Sequence, residues 1–153
     1  NDTIKENIRC ANLSASTEEV IEAAELADLH NFVKGNHLGY NQMVGNFGGN
    51  LSGGQVLKIG FARLFVSPDP DIIILDEASS ALDVETEKKI LENIYKKYEG
   101  KTIISIAHRL HTLKKADRIL VFDEGTVAEQ GKHEDLINQR GIYYDFMKTY
   151  VDY

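Results

Sequence analysis

The sequence has few of the residues that mark disulfide-stapled, membrane-spanning or nucleic-acid-binding chains. Its single cysteine, Cys10, cannot form a disulfide within the chain, which fits a reducing compartment. Its apolar runs are strand-sized, such as 72–75, whereas a membrane-spanning helix needs roughly 20 apolar residues. Lys and Arg number 17 against 24 Asp and Glu, a net charge of -7, and this balance argues against nucleic acid as the main partner.

The rest of the composition is that of a globular protein. Hydrophobic residues make up 42% and charged residues 27% of the chain, and only two prolines occur, so neither disorder nor a fibrous repeat is indicated. A length of 153 residues suits one ordinary domain. The chain begins with Asn1 rather than Met, and we therefore expect it to be an excerpt of a longer protein.

Residues 1–67 are predicted to form a helical subdomain. Ser16 and Glu19 have the spacing of a capping box at a helix start, and Ser52 is placed to cap a second helix that reaches about Phe65. Between these helices, the glycines and asparagines of 35–50 predict irregular structure, because glycine adopts positive φ angles without steric cost.

Residues 68–153 are predicted to be α/β. Apolar runs at 72–75, 102–106 and 118–122 alternate with helical patterns, and such continuous runs are typical of strands buried on both faces. Because parallel strands need crossover connections, this order predicts a parallel sheet covered by helices. A turn at 123–125 predicts a hairpin, and the tail from 133 to 150 is predicted to be two amphipathic helices.

The segment from Leu51 to Gln55 is a candidate anion site. Its glycines, Gly53 and Gly54, let the backbone approach a ligand closely, and the helix that follows offers unpaired N–H groups with a positive dipole end. The Ser52 hydroxyl adds a donor for a phosphate oxygen. The alternative is a serine-capped helix after a glycine turn, without a ligand.

Asp76 and Glu77 end the apolar run 72–75. Both carboxylates are therefore expected at the carboxyl edge of a strand, which is where open α/β sheets bind ligands. In a nucleotide site, the first acid can hold Mg²⁺ through water and the second can orient or deprotonate an attacking water. The alternative is a strand that ends in a solvated acidic turn.

Two further candidate site residues lie next to predicted elements, His108 after a strand and Asp83 before a helix. His108 comes after the predicted strand 102–106, so its imidazole can reach a terminal phosphate or a water; the alternative is a surface histidine. Asp83 is placed to cap the next helix, and spacing alone gives it no catalytic role. Gly100-Lys101-Thr102 resembles the end of a phosphate-binding loop, but the required earlier glycine is replaced by Tyr95, and a helix precedes instead of a strand.

Taken in order, these segments resemble four motifs of ABC (ATP-binding-cassette) ATPases. The signature motif, the Walker B motif, the D-loop and the switch histidine correspond to Leu51–Gln55, Ile72–Glu77, Ser80–Asp83 and His108. The resemblance runs from 2–8, similar to the segment after the family's Q-loop, through 125–131 to 134–136. It covers nearly the whole chain, and the stretches 39–48 and 125–136 are most similar to exporters.

The resemblance implies a P-loop NTPase (RecA-like) parallel-sheet core, present in part, with the ABC α-helical subdomain at its N-terminal side. It implies an ATPase that uses ATP and Mg²⁺ and lies at the cytoplasmic face of the cell membrane. Its partners would be a second ABC domain, arranged head to tail, and the transmembrane domain of an exporter, with no nucleic acid.

The resemblance also implies a role for each candidate residue. Asp76 would serve Mg²⁺, Glu77 would be the general base, and His108 would sense or position the terminal phosphate. Asp83 would belong to the D-loop at the dimer interface. The signature residues would contact ATP held by the partner cassette: Ser52, Gly53, Gly54 and Gln55.

Several features of the family are missing or changed in this sequence. The Walker A phosphate loop, the adenine-stacking aromatic residue and the Q-loop Gln are expected before Asn1, so the isolated chain is expected to be inactive. Val56 stands where the family often has Arg, and Asn46 stands where the exporter loop has an acidic residue.

Two other functions remain compatible with the same motifs. A soluble ABC ATPase of DNA repair or translation shares the signature and Walker B motifs, and coiled-coil heptads or a second tandem cassette upstream would indicate it. Apolar runs of transmembrane length upstream would indicate the exporter. A truncated cassette that acts only as an interaction module is the third interpretation.

Overall fold

The computed structural model describes residues 2–76, 81–106 and 110–151, and for 110–112, 150 and 151 it describes the backbone alone. The chain folds into a mixture of helices and short strands. The α-helices are α1 (Ile4–Arg9), α2 (Thr17–Leu26), α3 (His30–Gly35), α4 (Gly53–Val66), α5 (Val84–Lys97), α6 (His133–Gln139) and α7 (Ile142–Val151). The strands are β1 (Ile72–Asp76), β2 (Thr102–Ile106), β3 (Ile119–Asp123) and β4 (Thr126–Gly131), and short 3₁₀ turns lie at Gly39–Asn41, Asn46–Gly48 and Leu110–Lys115.

Two compact units divide the chain, 1–104 and 105–153. The first unit holds the helical segment together with β1 and α5. The predicted subdomain border at 67/68 concerns a division inside this first unit, and it stays a prediction.

Side-chain capping marks the starts of α1, α2, α4 and α5. At α2, Ser16 Oγ accepts the Glu19 N–H at 3.1 Å and a Glu19 carboxylate oxygen accepts the Ser16 N–H at 2.7 Å, which confirms the predicted capping box. The inward faces of α1, α2 and α4 form the core of this unit. Its fully buried residues include Ile4, Ile8, Val20, Ala24 and Ala62.

The strands β1 and β2 pair in a two-stranded sheet. The Thr102 N–H, at the start of β2, donates to the carbonyl of Asp71, which directly precedes β1, so both strands begin at the same edge as parallel strands do. The predicted parallel sheet is thus confirmed for these two strands.

The prediction that β1 and β2 are buried on both faces is wrong for this chain. Ile73 and Leu75 are buried, but Ile72 and Ile74 are 60% and 66% exposed. In β2, Ile104 and Ile106 are likewise about half exposed, and the same prediction fails for the run 118–122, where Leu120 and Phe122 are 47% and 64% exposed. A continuous apolar run predicts a strand with both faces covered. Among the described residues, however, other elements pack on only one face.

The second unit is built on the predicted hairpin, which the structure confirms. Strands β3 and β4 are antiparallel, joined at Glu124 and Gly125, whose φ angles of 46° and 77° suit a tight turn. Among the described residues, β3 and β4 make up a two-stranded sheet. The two predicted tail helices are present as α6 and α7, and they bury Leu136, Tyr143 and Met147 against Ile119. Within the described residues, no helix has the length and apolar character needed to cross a bilayer.

Candidate functional site

The signature segment starts α4 through a second capping box. Ser52 Oγ accepts the Gln55 N–H at 3.3 Å, and Gln55 Oε1 accepts the Ser52 N–H at 2.8 Å. These reciprocal bonds pair two of the donors that a helix start leaves open. The N–H groups of Gly53 and Gly54 have no acceptor among the described residues, and Ser52 and Gly53 are exposed to solvent. The first turn of α4 therefore presents two backbone donors, the Ser52 hydroxyl and the dipole end of the helix to an external anion.

Gln55 has a structural role that its place in the motif did not reveal. Its side-chain oxygen is already bonded within the capping box, so only its amide NH₂ remains to meet a ligand. The spacing Ser-x-x-Gln is a capping-box signal and could have predicted this contact from the sequence.

The D-loop segment lies directly against the signature glycines. A β-carbon added at Gly54 would lie 3.2 Å from the Ala81 carbonyl oxygen and 3.8 Å from Leu82 Cδ2, and one added at Gly53 would lie 3.7 Å from Ala81 Cβ. Leu82 itself is buried in the main core. The structure thus brings together two motifs that are about 30 residues apart in the sequence, and glycine at 54 permits the close approach.

A glycine-rich turn precedes the signature segment and packs against Val56, the residue that follows it. Gly45 and Gly48 have φ angles of 81° and 80°, and an added β-carbon would lie 2.9 Å from Asn50 and 2.8 Å from Val56, respectively. The Asn50 side chain donates to the Met43 carbonyl at 3.1 Å, which ties the turn to the residues before it. At its tip, Phe47 is fully exposed with a φ angle of 53°.

Asp83 caps α5, as predicted from the sequence. Its carboxylate accepts the Thr86 N–H at 2.9 Å, and this hydrogen bond from the Thr86 backbone is the main reason that the pKa of Asp83 is lowered. Asp83 is exposed, so the capped carboxylate still faces solvent.

The acidic strand end is described in part. Asp76 is the last residue of β1 and is exposed, so its carboxylate is free to meet a cation at the strand edge. Mg²⁺ is usually held by one or two carboxylates together with substrate phosphates, and the exposed Asp76 carboxylate fits that donor set. Glu77, Ser80 and His108 lie outside the described residues, so their predicted roles stay predictions.

In comparisons with known proteins, the chain is similar to translocation ATP-binding proteins of bacteria. The chain is 49% identical over 145 residues to the toxin RTX-III translocation ATP-binding protein of Actinobacillus pleuropneumoniae, with 94% of this chain and 20% of that protein covered. It is 47% identical over 147 residues to the alpha-hemolysin translocation ATP-binding protein HlyB of Escherichia coli, with 96% of this chain and 21% of that protein covered. The leukotoxin translocation ATP-binding protein LktB of Mannheimia glucosida is 49% identical over 144 residues, with 94% and 20% covered. The chain thus spans about a fifth of the length of these relatives.

A solved structure agrees with these relatives. A bacterial Atm1-family ABC exporter with ATP bound superposes with a TM-score of 0.91 at 42% identity, over 97% of this chain and 26% of that chain. No family model matches the sequence.

Proposed function

Because this chain belongs to the ATP-binding domains of ABC exporters, we propose that the protein which carries it hydrolyses ATP to drive export across a membrane. The observation that carries the proposal is the first turn of α4. It combines the signature sequence with a fixed, exposed set of anion donors. The relatives described above are translocation proteins, and this favours an exporter over a soluble ABC ATPase of DNA repair or translation.

The signature residues act on ATP held by a second cassette. Ser52, Gly53 and Gly54 present a hydroxyl and two backbone N–H groups outward from α4, and Gln55 adds its amide NH₂. These donors suit a phosphate that approaches along the helix axis from outside the chain. Ala81 and Leu82, which precede Asp83, pack against Gly53 and Gly54, so both motifs would face the same partner across a head-to-tail dimer.

The chemistry of this chain's own bound nucleotide is assigned to the acidic strand end. Asp76 would hold Mg²⁺, which neutralises charge on the phosphate oxygens. Glu77 would accept the proton of the attacking water, and His108 would hydrogen-bond the terminal phosphate. The positions of Glu77 and His108 are inferred from the sequence. Glu77 follows β1 and His108 follows β2, and parallel strands end at the same edge of a sheet.

The proposed assembly follows from these roles. A second ABC domain completes each site, and a transmembrane domain converts the ATP cycle into movement of the exported molecule. We therefore place the domain at the cytoplasmic face of the cell membrane. Support comes from the relatives, whose names combine translocation with ATP binding.

Substitution of the proposed general base is the direct test. In the full-length protein, Glu77→Gln is expected to lower ATP turnover at least about a hundredfold, because an amide cannot accept the proton of the attacking water. Binding of ATP is expected to persist, since Gln removes no contact to the phosphates. Turnover is measured as phosphate release, and binding as fluorescence of a labelled ATP analogue.

Glu99→Gln is the matched control, because Glu99 is an exposed glutamate just beyond α5. It is expected to leave turnover unchanged. Equal turnover in the wild-type and Glu77→Gln proteins would show that Glu77 is not the base.

A further inference from the structure

Asp28 follows the C-terminus of α2 in an unusual backbone conformation. Its N–H donates to the Glu25 carbonyl at 3.0 Å, and the Leu29 N–H donates to the Ala24 carbonyl at 2.8 Å. This is the Schellman pattern, in which the residue at the position of Asp28 is usually glycine because φ is positive. Asp28 has a φ angle of 54°. An aspartate thus occupies a position where the positive φ angle favours glycine.

The Asp28 carboxylate is shared between two lysines on different helices. Oδ2 accepts from Lys58 Nζ of α4 at 2.8 Å, and Oδ1 accepts from Lys89 Nζ of α5 at 2.5 Å. The Asp28 side chain is 24% exposed and that of Lys58 is 19% exposed. Burial raises the pKa of Asp28, but the hydrogen bonds from both lysines outweigh it and the pKa is lowered.

A second contact joins the same helices nearby. Asn93, one turn after Lys89 in α5, donates its side-chain N–H to the Leu26 carbonyl at the end of α2 at 2.8 Å. This bond holds α5 to α2 but does not reach α4. Lys58 and Asp28 thus add a polar link between α4 and α5, besides the Tyr98 hydroxyl, which donates to the Leu64 carbonyl of α4 at 2.7 Å.

The two bridged helices are the ones that begin at the functional motifs. Lys58 lies six residues after Ser52, and Lys89 lies six residues after Asp83. At this distance a helix behaves as a rigid rod, because its backbone hydrogen bonds fix each turn on the next. A bridge between Lys58 and Lys89 therefore constrains the signature turn relative to the D-loop.

We propose that Asp28 is a positioning residue, which locks α4 to α5 so that the signature turn and Asp83 are presented to the partner cassette as one unit. This inference rests on the proposed function, since it concerns the site completed in the dimer. An isolated surface ion pair contributes little to stability. This carboxylate differs because it is partly buried, accepts from two lysines and connects α4, α5 and the end of α2.

Two substitutions test the proposal in the full-length protein. Asp28→Gly removes the carboxylate and relaxes the backbone, whereas Asp28→Asn removes only the charge. Both are expected to lower kcat for ATP about fivefold while KM changes less than about twofold, because couplings of this kind act on the assembled site. For Asp28→Gly, the thermal midpoint is expected to stay within about 4 °C of the wild type, since backbone relief offsets the lost ion pairs.

The matched control is Asp69→Asn. Asp69 accepts from Lys101 Nζ at 2.7 Å but its side chain is 71% exposed, and it bridges no helices of the site. This variant is expected to keep wild-type kcat and KM.

A spectroscopic measurement separates positioning from a loss of folding. In a Cys10→Ser background, nitroxide labels at Gly60→Cys on α4 and Glu92→Cys on α5 occupy exposed positions. The distribution of distances between the labels is expected to be narrow with Asp28 present and broader in Asp28→Gly. The Lys58→Met variant, which lacks the lysine charge, is expected to broaden the distance distribution to the same extent. Combining Lys58→Met with Asp28→Asn is expected to broaden it no further.

An unchanged kcat in both Asp28 variants would overturn the proposal, and so would an unchanged distance distribution. Neither result would affect the proposed function as long as wild-type turnover depends on Glu77. ATP turnover that stays at the wild-type level in the Glu77→Gln protein would instead overturn the proposed function.

Discussion

At the scale of single residues, Gly54 and Gly60 show how one helix uses glycine in two ways. Both belong to α4. A β-carbon at Gly54 would lie 3.2 Å from the Ala81 carbonyl oxygen, whereas one at Gly60 would meet nothing within 4 Å. Gly54 is thus needed for the contact with the D-loop, and Gly60 leaves the helix interior with avoidable backbone entropy.

The substitutions Gly54→Ala and Gly60→Ala should therefore have different consequences for stability and for ATP turnover. Gly60→Ala is expected to raise the free energy of unfolding of the ATP-binding domain by about 1 kcal/mol, the difference in helix propensity. Gly54→Ala is expected to gain less or lose stability, because the Ala81 carbonyl must move by a few tenths of an ångström, and to lower ATP turnover. Thermal unfolding and phosphate release check this, and equal behaviour of the two variants would contradict it.

At the scale of elements, local signals in the sequence predicted where helices begin. The capping residues Ser16, Ser52 and Asp83 each start the helix that the sequence assigned to them. The hairpin between β3 and β4 was equally predictable, because Glu124 and Gly125 form its turn within the local sequence. At each of these helix starts the donor and acceptor lie three residues apart, so spacing alone determines them.

Contacts between distant segments could not be predicted in this way. Asp28 meets Lys58 and Lys89 only because three helices pack together. The approach of Ala81 to Gly54 likewise depends on tertiary packing. Motif order could place the signature segment and the D-loop in one site, but the backbone contact between them required the fold.

The capping box of α4 offers a way to separate folding from ATP recognition. Gln55→Glu keeps an acceptor for the Ser52 N–H and places a negative charge in the first turn, which the helix dipole favours. The stability of the domain is therefore expected to be unchanged or slightly higher. The same charge faces the phosphates of the partner's ATP, so turnover is expected to fall about tenfold or more.

Thermal unfolding and phosphate release of the Gln55→Glu protein check both parts of this expectation. Gln55→Ala serves as the comparison, since it breaks the capping box without adding charge. Full turnover in Gln55→Glu would contradict a role for this turn in binding phosphate.

At the scale of the whole molecule, each unit has its own buried core, but the first unit leaves apolar sheet positions open. Ile72 and Ile74 of β1, with Ile104 of β2, are about half exposed or more. In the described residues, the signature turn and Asp83 also point to solvent. Under the proposed function, these exposed groups would act on a nucleotide held by a neighbouring cassette.

A polypeptide made of these 153 residues alone is therefore expected to show no ATP hydrolysis. Its only phosphate-loop-like lysine, Lys101, is engaged by the Asp69 and Asp71 carboxylates at 2.7 and 3.4 Å, and it precedes a strand, where a phosphate loop would lead into a helix. Phosphate release by the purified polypeptide, compared with its Glu77→Gln variant, is the measurement. Equal traces in the two samples indicate contamination, whereas hydrolysis that disappears with Glu77→Gln would mean that the chain cradles ATP phosphates with residues other than a phosphate loop.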